Sequence, residues 1–159
     1  MLNFDVRGNL TPYQAIPSKI KEFKKYLVDE IDSDSRADNY KKYIKYSNDL
    51  KALLGKAEMK QWVNGSFVTK KRNPKDIDLI TFIDSATIQK LGDKLGEFIG
   101  TRSNESYGVD AYIIEVYPPN SKNAFRTEFD TVEWLYLFSH TKKNRRGQVF
   151  EKGFLEIIY

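Results

Sequence analysis

Cysteine is absent from the 159 residues. That excludes disulfides and thiolate metal sites alike, and it is compatible with a reducing cytoplasm. Histidine is nearly absent. The single one, His140, sits in a polar, basic turn and reads as a surface residue rather than a catalytic base. No apolar run approaches the roughly 20 residues of a membrane-spanning helix, so no membrane partner is expected. The opening Met-Leu-Asn-Phe-Asp-Val-Arg-Gly has neither the basic leader nor the apolar stretch of a signal peptide. Internal repeats, linkers and low-complexity tracts are also missing. One domain over residues 1–159 is therefore expected, with a lead-in and helical pair (1–56) packed on a core (57–159).

What is present is globular in kind. Hydrophobic residues make up 40% and charged residues 30% of the chain, enough of the former to bury a core and too many for a disordered segment. Twenty-six Lys and Arg against 22 Asp and Glu leave a formal charge of +4. An excess that small suits a phosphate-bearing ligand or nucleic acid but demands neither.

Taken in order, Met1 to Ile16 reads as an extended, turn-rich lead-in with Gly8-Asn9 and Pro12. Pro17-Ser18 then starts a helix with Ser18 as its cap, carrying Ile20, Phe23, Leu27 and Ile31 at helical spacing. The cluster Asp32-Ser33-Asp34-Ser35 ends it and opens a second helix, Arg36 to Leu54, stopped by Gly55. A short strand is expected over Met59–Val63, and a third helix from a Ser85 cap to Ile99. Gly100 to Gly108 reads as a polar loop. The β-branched and aromatic run Val109–Val116 is a strand that Pro118-Pro119 terminates. A fourth helix is expected at Thr131–Ser139, then a basic turn, His140 to Gly147, and an apolar segment to Tyr159.

Chemistry concentrates between Trp62 and Ile83. A short apolar run breaks at Gly65-Ser66, crosses the basic turn Lys70-Lys71-Arg72-Asn73-Pro74-Lys75 and enters a strand-like segment, Asp76 to Ile83. Residues two apart on a strand face the same way, so Asp76 and Asp78 would point together with α-carbons roughly 6–7 Å apart. Asp110, on the later strand, joins them if the two strands are neighbours in the right register; a slip of one residue would turn it away. Tyr112 shares that face and would line the pocket. Two like charges about 5 Å apart repel by roughly 3 kcal/mol at an effective dielectric of 20. Three clustered carboxylates therefore take up protons or a cation. All-oxygen ligands favour magnesium or manganese over zinc. Glycine lets the backbone approach a phosphate closely, and a serine at such a turn offers its hydroxyl and N–H to one. Lys70, Lys71 and Arg72 stand where they could meet a triphosphate.

The set Val63, Gly65-Ser66, a spacer of nine, Asp76-Ile77-Asp78-Leu79 and then Asp110 resembles the nucleotidyltransferase superfamily typified by DNA polymerase beta. Together with the Asp-Val-Arg-Gly-Asn-Leu-Thr-Pro opening and the closing Lys152-Gly153, it resembles a bacterial subgroup of small stand-alone members. The resemblance implies an α/β (α+β) fold, a short mixed sheet flanked by helices. It implies Mg²⁺- or Mn²⁺-dependent transfer of a nucleoside monophosphate from an NTP to an acceptor hydroxyl on a protein, an RNA or a small molecule. Asp76 and Asp78 would ligate both ions, Asp110 would hold the catalytic ion and help activate the acceptor, and Gly65 and Ser66 would cradle the phosphates. A toxin whose antitoxin adenylylates it is one such acceptor. The alternative is a non-catalytic module of the same fold that binds a partner or nucleic acid, for instance an antitoxin.

Overall fold

Alternating side chains give a five-stranded sheet two unlike faces. The computed structural model describes all residues from Met1 to Tyr159. A two-stranded antiparallel pair, β1 (Asn3–Phe4) and β2 (Leu10–Thr11), precedes the main sheet. That sheet comprises β3 (Ala15–Ser18), β4 (Lys60–Asn64), β5 (Asp78–Asp84), β6 (Asp110–Val116) and β7 (Phe154–Ile158), in the order β3-β7-β4-β5-β6. The outer pairs β3/β7 and β5/β6 are parallel, and β4 runs antiparallel to both its neighbours. The helices are α1 (Ile20–Lys24), α2 (Arg36–Leu54), α3 (Ser85–Leu91), α4 (Gly100–Tyr107) and α5 (Ala124–Phe138). This is a mixed sheet flanked by helices, an α+β fold, as the resemblance implies. No helix is long and apolar enough to cross a membrane.

One face of the sheet carries the larger core. Phe23 and Leu27 from the first helical segment, Tyr43, Tyr46 and Leu50 from α2, and Val63, Leu79 and Leu155 from the strands are fully buried together. Each such side chain contributes about 2 kcal/mol through removal from water. The helix α2 has the bounds its periodicity predicts, and Gly55 closes it in the left-handed region at φ 62°.

Four local expectations are corrected. Pro17 and Ser18 belong to β3 rather than to a helix start, because β3 is an edge strand, where a proline without an N–H costs no ladder bond. The first helix begins at Ile20 and continues beyond Lys24 as a π-helical turn, Lys25–Asp29. The third helix is capped by Asp84, whose carboxylate accepts from the Thr87 N–H at 2.9 Å, and Gly92 breaks it into a 3₁₀ segment, Gly92–Phe98. Gly100–Tyr107 is helix α4, not loop. Its buried Ser103 hydroxyl donates to Gly100 O at 2.7 Å, and Tyr107 packs edge-on against Tyr46. The final helix starts at Ala124 rather than Thr131.

Arg36, at the start of α2, is fully buried. Its Nη1 donates to Leu27 O and Phe67 O, each at 2.7 Å; its Nη2 donates to Thr69 O at 2.6 Å and Lys71 O at 2.7 Å. Its partners are carbonyls rather than carboxylates, and burial draws its pKa down to about 10. This clamp fixes the path of the chain just after Gly65-Ser66.

Candidate active site

The other face of the sheet holds a smaller core, Trp62, Ile80, Ile114, Phe138 and Phe154, with α5 laid over it. At one end of this face the apolar row gives way to acids. In the parallel β5/β6 pair, Asp78 lies directly opposite Asp110, and the same register pairs Leu79 with Ala111 and Ile80 with Tyr112. Shifting it by one residue would turn buried apolar side chains to the wrong face, so the core enforces the meeting of the two acids. Asp76 precedes the strand proper, but the pairing reaches almost to it, since the Asp110 N–H donates to Ile77 O at 2.9 Å. The Asp78 carboxyl titrates above its ordinary value, chiefly through burial and then through the charges of Asp76 and Asp110. The three acids thus share one field. Nowhere does the chain gather three or more His, Asp or Glu side chains tightly enough to form a finished metal cage.

Gly65 lies against this cluster. Its φ of 78° and ψ of −167° lie outside the usual reach of side-chain-bearing residues, and a Cβ there would collide with the Asp78 carboxylate. The expected glycine–serine corner is therefore seated on the acid. Ser66 opens a 3₁₀ turn, Ser66–Val68, and its carbonyl accepts from the Thr69 hydroxyl at 2.7 Å.

The cations whose charge reaches Asp78 are not those of the Lys70–Lys75 turn. Lys152 is buried, and its Nζ donates to Gly65 O at 3.2 Å. Burial lowers its pKa to about 8 against the opposing pull of Asp78. Lys142, from the exposed basic turn after α5, and Lys152 are the cations that lower the Asp78 pKa. Lys70 instead lies over the Phe4 ring at 4.3 Å, and Arg72 pairs with Asp32 at 2.6 Å. Lys71 is exposed, with its carbonyl held by Arg36.

Two further groups complete the surroundings. Asn64 lies opposite Asp78 on β4; its Nδ2 donates to Phe138 O at 3.3 Å, while its buried Oδ1 has no donor. The Tyr112 ring packs at 4.7 Å from Trp134, and burial and the charges of Asp110 and Asp78 push its hydroxyl pKa up. His140 is half-buried, its Nδ1 2.8 Å from Tyr136 O at the end of α5.

Hard oxygen donors surround this corner, and the orphaned Asn64 oxygen lacks positive charge to meet it, so the residues fit a magnesium- or manganese-type ion. In the sequence Lys152 stands out only within the closing Lys152-Gly153, and nothing singles out Lys142 or, beyond its place directly before Gly65-Ser66, Asn64.

A family model matches residues 2–158, nearly the whole chain. The chain belongs to the DUF6932 family. That family is described as one of unknown function. No curated protein and no solved structure matches the chain significantly.

Proposed function

We propose that the chain is a metal-dependent nucleotidyltransferase of the polymerase-beta-like superfamily, acting in the cytoplasm on an NTP and an acceptor hydroxyl. The observation that carries this reading is the in-register pairing of Asp78 with Asp110 beneath the Gly65 corner. In the proposed reaction the acceptor oxygen attacks the α-phosphorus of the NTP. The bond from that phosphorus to the bridging oxygen breaks, and pyrophosphate leaves. Asp76, Asp78 and Asp110 would hold the ions, and Asp110 accepts the acceptor's proton. Divalent ions, when bound, neutralise charge developing on the phosphates. Gly65 and Ser66 bring backbone close to the phosphates. Lys152 and Lys142 would add positive charge beside Asp78.

The test spans three classes of acceptor: a partner protein such as a toxin, RNA and small molecules. Incubation with α-phosphate-labelled NTP and Mg²⁺ should label one of them, and labelling should vanish in Asp76→Asn plus Asp78→Asn. Label transfer that survives the double substitution refutes the assignment. One observation favours a second reading, a non-catalytic binding module such as an antitoxin: Lys70 and Arg72 are engaged away from the acids. Calorimetric titration with NTP and Mg²⁺ separates the two, because the module would show no heat of binding.

A further inference from the structure

The outward face of α5 carries an apolar stripe that no other part of the chain covers. Phe125, Phe129, Val132 and Tyr136 recur at spacings of four, three and four, which keeps them within about 60° of one another around the helix. Each exposes between 63% and 67% of its surface. Leu135 and Leu137, also exposed, widen the stripe on either side. The opposite face of the helix is already committed: Trp134 and Phe138 pack on the sheet, and the Thr127 hydroxyl donates to Glu115 O at 2.9 Å. The stripe is therefore a second apolar face with the spacing of a helix-pair seam.

We propose that this face is a homodimer interface in which α5 packs antiparallel against α5 of a second copy about a twofold axis. The flanking charges select this occupant. Arg126 and Glu133 lie on the same flank of the stripe, seven residues apart. Antiparallel twofold packing sets that flank against itself, so Arg126 meets Glu133 of the second copy, and the pairing occurs twice per dimer. Parallel packing would instead bring Glu128, on the other flank, against Glu133, setting like charges together. The guanidinium of Arg126 is held on its flank by Tyr117, to whose hydroxyl Nη1 donates at 3.3 Å. The six apolar side chains offer on the order of 600 Å² per copy, about 1,200 Å² for the pair, above the roughly 1,000 Å² a specific interface needs.

Sedimentation velocity and light scattering on the full chain at micromolar protein test this. The wild type should be dimeric. Phe129→Asp should be monomeric with an unchanged circular dichroism spectrum, and Val132→Glu, equally exposed, serves as the second probe should the first misfold. Arg126→Glu should weaken the dimer about tenfold, and Arg126→Glu combined with Glu133→Arg should restore it. A chain that is monomeric throughout, leaving the stripe to a different protein, overturns the proposal. So does a dimer that survives both apolar substitutions, or a double charge swap as weak as the single one.

Discussion

The two faces of the sheet are built to different standards. On the face packed by α1, α2 and α4, most buried polar groups find partners: the Tyr43 hydroxyl donates to Gln61 Oε1 at 2.9 Å, and the Tyr46 hydroxyl donates to Phe98 O at 3.0 Å, while the Arg36 Nε is left without an acceptor. On the face under α5, an acceptor lacks its donor, a lysine is buried, and a carboxylate is crowded by two others. Such deficits lower stability and are retained where a ligand or a reaction resolves them. The first face carries the larger buried core, and the second is where the proposed chemistry would lie.

Substitutions can break or sharpen that contrast. The largest effect is expected on the first face. Arg36→Met strands four carbonyls at once and should cost on the order of 5 kcal/mol in a urea unfolding curve. Gly65→Ala comes next. It forces a side chain into a strained backbone and onto Asp78, so a loss of about 2–4 kcal/mol is expected together with loss of NTP binding by calorimetry.

Asp78→Asn should divide the two properties. The proposed transfer should fall more than about 100-fold, yet thermal stability at pH 7 should rise. An acid whose folded pKa lies above its ordinary 3.8 destabilises the fold when ionised, and this penalty disappears once pH falls below 3.8. The melting-temperature gain over wild type should accordingly shrink from pH 7 toward pH 4. A variant no more stable than wild type at pH 7 would show that the acid face is not strained. The smallest effect is expected at Arg72→Ala. It removes only an exposed pair with Asp32 and should leave both the melting temperature and NTP binding unchanged.

The helix α2 and the acids on β5 and β6 were legible in the sequence because their signals are local. Apolar spacing and a terminal glycine define the helix, and alternation places Asp78 and Asp110 on like faces of their strands. The helix α4 was hidden because its exposed side is polar and its packing rests on Ser103 and Tyr107 rather than on an aliphatic stripe. Which cations reach the acids was illegible for another reason. Lys70, Lys71 and Arg72 are near Asp76 along the chain, but Arg36 and Asp32 lead that loop elsewhere. Lys152 arrives from the far end because β7 pairs with β4. Proximity in sequence stands in for proximity in space only until a long-range strand pair intervenes.

Arg36 has a mechanical consequence. Its four carbonyls come from two separate pieces of chain, the end of the first helical segment at Leu27 and the loop from Phe67 to Lys71. Those pieces are riveted to one planar group that bends little, so neither can shift without dragging the other. A push on the first helix from outside would therefore travel to the glycine corner as a rigid displacement, giving the amino-terminal third of the protein a lever on whatever sits against Asp78.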